Sequence, residues 1–144
     1  MNETIMNNTE QKPKKILLVE DDQNISKALS IRLKHRGYET TVAADATTAV
    51  ETAVKLQPDL ALLDISLPAG NGFTVGERIQ ALLPKATPLI FLTASKQPGL
   101  REKAKELGAA AFFQKPYEAA ELLGAIQLAL AGSPVQQEPE VYAL

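Results

Sequence analysis

The stretch Ile16-Leu17-Leu18-Val19-Glu20-Asp21-Asp22 decides how the chain is read. Four apolar residues run together, and three acids follow at once. A strand with one wet face alternates polar and apolar residues. An unbroken apolar run needs cover on both faces, as the strands of a parallel sheet have. Comparable runs recur at Leu60-Ala61-Leu62-Leu63, Leu89-Ile90-Phe91-Leu92 and Ala111-Phe112-Phe113. The weaker alternation of Tyr38, Thr40 and Val42 reads as an edge strand.

Helical periodicity fills the gaps between the runs. Ile25, Ala28, Leu29 and Leu33 share one face, Asp22 suits the cap before them, and Gly37 stops the helix. Asp45 caps a second helix with the stripe Ala46, Ala49, Val50, Ala53, Val54. Val75, Ile79, Leu82 and Leu83 predict a third, ended by Pro84. Residues 99–107 predict a short charged helix stopped by Gly108, and Leu122, Leu123, Ile126 and Leu130 a last one stopped by Gly132. Strand then helix, repeated, implies a doubly wound α/β sandwich with right-handed crossovers. Residues 1–13, rich in Asn, Thr and Glu, read as a disordered arm, 14–131 as one domain, and 132–144, with Pro134, Glu138, Pro139 and Glu140, as a flexible tail.

Composition narrows the functions. The 144 residues are 45% hydrophobic and 22% charged, with a net charge of −2. That gives no clustered positive field for nucleic acid or an anionic membrane. With no cysteine, disulfides, thiolate metal sites and cysteine nucleophiles are excluded. No apolar run approaches the roughly 20 residues that span a bilayer. The polar N-terminus lacks the apolar core of a signal peptide, so a cytoplasmic protein is expected.

In an open α/β sheet, ligands bind beyond the carboxyl ends of the strands. The residues just past the apolar runs are Glu20, Asp21 and Asp22, then Asp64, then Thr93, then Lys115 before Pro116. Glu20, Asp21 and Asp64 together would repel one another, and their pKa values would rise unless a cation neutralised them. Oxygen donors without His or Cys favour a hard cation. Mg²⁺ fits best, because it needs only one or two carboxylates and keeps other positions for water and phosphate. A divalent cation, the Lys115 ammonium and the Thr93 hydroxyl around one carboxylate form a clamp for a transferring phosphoryl group. Asp64 would be the nucleophile, forming an aspartyl phosphate.

The first stretch, then Asp64-Ile65-Ser66-Leu67-Pro68 with Gly72, then Leu92-Thr93-Ala94, then Lys115-Pro116, resemble in order, type and spacing the receiver domain of two-component response regulators. The resemblance covers residues 14–131. It implies a flavodoxin-like (βα)5 sandwich with sheet order 2-1-3-4-5. It implies that Asp64 accepts phosphate from a histidine kinase or a histidine phosphotransfer protein. Asp21 and Asp64 would bind Mg²⁺ through their side chains, Ser66 through its backbone carbonyl, and Glu20 mostly through water. Thr93 and Lys115 would contact the phosphoryl oxygens. Phe112 falls where the family places an aromatic switch residue, often Tyr. Without the hydroxyl a rotamer or packing change remains, and plain core packing is the competing reading. Ser66 and Ser95 occupy positions that influence phosphate lifetime. Pro116 in the family often follows a cis peptide bond. The acidic pair is Glu20-Asp21 where the family often has Asp-Asp. Output would pass to a protein partner through the face of the fourth helix, fifth strand and fifth helix, with a homodimer on phosphorylation as a further outcome.

Other readings fit less well. His35, at the end of the first helix, suits the helix dipole rather than a relay role, and Gly70 and Gly72 serve backbone turns. An aspartate-nucleophile phosphatase would place a second acid two residues after the nucleophile, where Ser66 stands. The domain would therefore catalyse only its own phosphorylation and dephosphorylation. A nucleotide or flavin module would need a glycine- or hydroxyl-rich loop after the first strand. The loop Glu20-Asp21-Asp22-Gln23-Asn24 repels phosphate unless a metal is present. Two variants of the main reading stay open. One is a pseudo-receiver that binds constitutively. The other is the receiver part of a larger regulator with an output domain.

Overall fold

In the computed structural model of the chain, residues 12–132 are described. The expected arm and tail fall outside them, apart from residues 12, 13 and 132. The sheet strands are β1 (Lys15–Val19), β2 (Glu39–Ala43), β3 (Leu60–Asp64), β6 (Leu89–Thr93) and β7 (Ala111–Gln114). The helices are α1 (Gln23–His35), α2 (Ala46–Leu56), α3 (Gly72–Leu82), α4 (Leu100–Glu106) and α5 (Ala119–Leu130). All sheet pairings are parallel, in the order β2-β1-β3-β6-β7, which is the expected 2-1-3-4-5. A two-stranded antiparallel ribbon, β4 (Ser66–Leu67) with β5 (Gly70–Asn71), had no signal in the apolar pattern.

The unbroken apolar runs are explained by two cores. Successive strand residues point to opposite faces. Leu17, Val19, Ala61, Leu63, Phe91 and Phe112 pack with residues of α2, α3 and α4. Ile16, Leu18, Leu60, Leu62, Leu92 and Phe113 pack with α1 and α5 on the other side.

Helix ends follow the side chains that satisfy them. Asp22 Oδ1 accepts from the N–H groups of Asn24 and Ile25 at 2.9 and 3.1 Å. Asp45 does the same for Thr48 at 2.8 Å. Asn71, which the sequence reading passed over, caps α3 by accepting from Thr74 N–H at 3.0 Å. Gly37 and Gly108 carry φ of +87° and +75°, the left-handed backbone that follows helix ends.

Some expected core positions are not core. Ala28 is exposed and Ile25 half-buried, while Ser26 is buried, its hydroxyl donating to Gln23 carbonyl at 3.2 Å. Apolar periodicity could not reveal a hydroxyl that satisfies itself on its own helix. Val54 is exposed, because the buried stripe of α2 is the narrower set Ala46, Ala49 and Ala53. Leu82 is exposed because α3 ends there; Leu83, in extended backbone, turns into the core in its place. Val42 is exposed as well: in the outermost strand β2 only Ala43 is buried.

Candidate functional site: an acidic cluster at the carboxyl edge of the sheet

Parallel strands of matched length bring their ends to one edge. Glu20 and Asp21 follow β1, Asp64 ends β3, Thr93 ends β6, and Lys115 follows β7. Backbone bonds carry the register beyond the strands. Glu20 N–H donates to Ala43 carbonyl at 3.0 Å, Ile65 N–H to Leu92 carbonyl at 3.0 Å, and Lys115 N–H to Thr93 carbonyl at 2.7 Å. The Lys115–Pro116 peptide is cis.

Carboxylate oxygens of Glu20, Asp21 and Asp64 lie within 4.8 Å of one another. Glu20 and Asp64 are buried and Asp21 is exposed, so the cluster opens to solvent on one side. The Lys115 ammonium donates to Glu20 Oε1 and to Asp64 Oδ2, both at 2.9 Å. The other Asp64 oxygen, Oδ1, accepts from Ser66 N–H at 3.0 Å. Glu20 Oε2 accepts from Asp22 N–H at 3.1 Å. Thr93 is fully buried, and its Oγ1 accepts from Ser95 N–H at 3.0 Å.

Burial pushes the Glu20 carboxyl above its ordinary value, and the charge of Asp64 adds to that. The hydrogen bonds from Lys115 and Asp22 oppose it without cancelling it. Burial is the main cause of this rise, and repulsion between the acids is secondary. Lys115 shows the converse balance. Burial alone would pull its ammonium down, but the bonds and charges of Glu20 and Asp64 outweigh it, and the net shift is upward. Three acids against one lysine leave the cluster short of positive charge. All its donors are oxygens, which fits a hard divalent cation.

The structure thus brings Glu20, Asp21, Asp64 and Lys115 together, with Ser66 joined through its N–H and Thr93 on the next strand. Phe112 stands apart, buried in the core under α4, with the Arg101 guanidinium 5.8 Å from its ring centre. Phe112 pairs with Phe91 and Gln114 with Thr93, so Thr93 and Phe112 are diagonal neighbours of adjacent strands. His35 sits in the last turn of α1, away from these strand ends.

Gly72 was expected to serve a turn. It instead opens α3, and its N–H donates to Ile65 carbonyl at 2.9 Å. A Cβ at this position would fall on the backbone carbonyl of Asp64. The close approach of α3 to the acidic cluster therefore requires glycine. Gly70, at φ +131°, opens β5 directly after the turn at Pro68 and Ala69, paired with Leu67.

A larger groove, about 660 Å³, opens at the opposite edge of the sheet beside Lys14, Asp59 and Thr87. Volume does not mark the site here; the convergence of acids does. Among the described residues no helix is long and apolar enough to cross a membrane.

Comparison with known proteins agrees with this geometry. The response regulator receiver domain family matches residues 16–127. The chain is 34% identical over 120 residues to the transcriptional regulatory protein PdtaR of Mycobacterium tuberculosis, covering 83% of this chain and 58% of that protein. It is 38% identical over 114 residues to the transcriptional regulatory protein DltR of Streptococcus agalactiae, covering 79% and 50%. The chain thus spans a little over half of the one relative and half of the other. Among solved structures, the non-phosphorylated HemR receiver domain of Leptospira biflexa superposes with a TM-score of 0.75 at 35% identity, covering 89% of this chain and 98% of that one. A CheY-like receiver domain protein of Methanospirillum hungatei gives 0.79 at 30%, covering 84% and 96%. Fold, acidic edge and sequence agree: the chain belongs to the response regulator receiver domain family of two-component systems, whose function is to accept a phosphoryl group as a signal.

Proposed function

We propose that Asp64 is the residue that accepts the phosphoryl group. The observation that carries this is the setting of its two oxygens. Oδ2 is held at 2.9 Å by Lys115, and Oδ1 at 3.0 Å by Ser66 N–H, at the mouth of the cluster. The side chain is buried, with the exposed Asp21 carboxylate within 4.8 Å of it on the solvent side. In the transfer, an Asp64 oxygen bonds to phosphorus as the bond from phosphorus to the donor breaks, and the bonding pair leaves with the donor.

Asp21 and Asp64 side chains and the Ser66 carbonyl would hold Mg²⁺, with Glu20 acting through water. The ion supplies positive charge to the transferring oxygens. Lys115 and Thr93 would bind those oxygens from the protein side. The bond from the Lys115 ammonium to Asp64 Oδ2 supports its part in this, and the Thr93 hydroxyl, which accepts from Ser95 N–H, keeps its own proton to donate.

The donor is a histidine kinase or a phosphotransfer protein, and the chain works in the cytoplasm through protein partners. The phosphoryl group shifts the population of conformers. The shift passes from Thr93 to its diagonal neighbour Phe112 and reaches partners, or a second copy, at the face of α4, β7 and α5. Mass measurement after treatment with Mg²⁺ and acetyl phosphate tests the acceptor. One phosphoryl group is expected on the wild-type protein and none on Asp64→Ala or without Mg²⁺. An unmodified wild type across several donors would leave a constitutive binding module as the better reading.

A further inference from the structure

Asn71-Gly72 is the one Asn-Gly pair among the chain's five asparagines. An asparagine before glycine loses its amide most readily, because no side chain keeps the glycine nitrogen from the asparagine Cγ. The fold puts this pair at a joint. Asn71 ends β5 and is exposed; Gly72 opens α3 and is buried. The joint lies against the acidic cluster. Asn71 pairs with Ser66 across the ribbon and lines a groove with Asp21, and a Cβ on Gly72 would fall on the Asp64 carbonyl.

Three features keep the reacting atoms apart. The Asn71 backbone is extended, at φ −144° and ψ 166°. Asn71 Oδ1 accepts from Thr74 N–H at 3.0 Å, which holds the side chain forward over the first turn of α3. The Gly72 N–H, whose nitrogen must react, donates to Ile65 carbonyl at 2.9 Å. Ring closure needs the opposite: the side chain turned back, and the Gly72 nitrogen released from its bond.

We infer that Asn71 is a site of spontaneous deamidation, closed in the folded chain by these two hydrogen bonds and opened when the ribbon and the start of α3 come apart. On opening, the Gly72 nitrogen bonds to Asn71 Cγ and the Cγ–Nδ2 bond breaks. The proton from Gly72 ends on the departing nitrogen, which leaves as ammonia. Water then opens the five-membered imide in one of two ways. Breaking the new Cγ–N bond leaves aspartate. Breaking the original backbone C–N bond leaves isoaspartate, with one extra methylene in the main chain. The products differ in effect. Aspartate keeps the cap, since a carboxylate accepts from Thr74 N–H as an amide does and suits a helix start. Isoaspartate lengthens the chain where α3 abuts Asp64, so Gly72 cannot keep both its bond to Ile65 and its seat against that backbone.

The full chain would be held at mildly alkaline pH, folded in buffer and unfolded in urea, and peptide maps followed for the mass gain of NH₂ exchanged for OH. In urea, Asn71 is expected to react first of the five asparagines. Its rate there should exceed the folded rate by more than about tenfold, because in the folded chain the reaction waits on local opening. Asn71→Gln, which must close a larger ring, should stay unmodified in both. Chains aged in urea would be refolded and the products separated by chromatography. The isoaspartyl form should unfold at lower urea than the unmodified chain, and Asn71→Asp at the wild-type concentration or above. Equal rates in folded and unfolded chains would overturn the gate. An amide at Asn71 that outlasts the other four in urea would overturn the site. An isoaspartyl form as stable as the unmodified chain would overturn the consequence for α3.

Discussion

The Lys115 ammonium lies 2.9 Å from Glu20 Oε1, although 95 residues separate the two in sequence. Their strands sit at different places in the sheet: β1, which Glu20 follows, is near one edge, and β7, which Lys115 follows, is at the other. The lysine therefore reaches across the carboxyl edge, bonding Asp64 on the way. In the absence of a divalent ion it is the cation that holds the acids together.

Lys115→Ala should accordingly destabilise the metal-free fold by about 1–3 kcal/mol, because two buried carboxylates lose a charged donor. Added Mg²⁺ should recover more stability in the variant than in wild type, since binding to the folded state alone adds stability. Urea unfolding with and without Mg²⁺ measures both. Equal Mg²⁺ gains in the two proteins would show that lysine and metal do not share the task.

Glu20→Gln should behave in the opposite way at neutral pH. The folded-state pKa of Glu20 is raised, so its favourable contribution is complete below the ordinary value of 4.5 and is lost as pH rises through the raised value. In wild type at neutral pH the ionised form is therefore a cost. Without Mg²⁺, the variant should be the more stable protein at neutral pH, and the gap should close as pH falls towards 4.5. Asp59, at the far edge of the sheet, has the reverse sign. Burial raises it, but Lys15 N–H at 2.7 Å and Lys85 at 2.9 Å more than compensate, and its carboxyl is lowered. Its contribution is present above the ordinary value of 3.8 and fades as pH falls through the lowered one. Stability curves against pH for Glu20→Gln and Asp59→Asn should thus diverge from wild type in opposite directions.

Gly72→Ala tests the close approach of α3. The added methyl meets the Asp64 carbonyl, which is backbone and has nowhere to swing. A loss of about 1–3 kcal/mol is expected from overpacking, with slower phosphorylation because Asp64 is displaced. Denaturation midpoints and acetyl phosphate kinetics read the two effects. A variant matching wild type in both would show that α3 slides without cost.

Thr93→Ala addresses the switch. The variant should still gain a phosphoryl group on Asp64 but lose the accompanying change at β7. Amide exchange of residues 111–114, with and without phosphodonor and Mg²⁺, follows this. A normal response in the variant would remove Thr93 from the relay.

The sheet and its order were legible because each apolar run is continuous where both faces are covered, and because each interior run hands off to a polar group. The acids, Thr93 and Lys115 could be placed by counting from strand ends, and all of them reach one edge. Less was legible where a residue's surroundings, not its own character, decide the outcome. Val54 and Leu82 are apolar and exposed, the first because α2 turns a narrower stripe inward than the pattern allows, the second because α3 ends there and Leu83 takes the core position. Gly72 looks like any turn glycine until α3 is seen against Asp64. The Lys115–Glu20 pair depends on how far one side chain extends across the sheet, which strand order alone does not specify. The β4–β5 ribbon is too short for any period to register.

The alternation of strand residues between two cores has a consequence for how such a chain diverges. Phe91 and its neighbour Leu92 belong to different cores, one under α3 and α4, the other under α1 and α5. Substitutions in the two helical layers that lie more than about 7–10 Å apart and share no partners combine almost additively. The sheet is therefore a partition, and a lineage can redraw the surface of one helical layer while the other stays as inherited. A protein that must keep one conversation partner and acquire another has, in this arrangement, two separately editable sides.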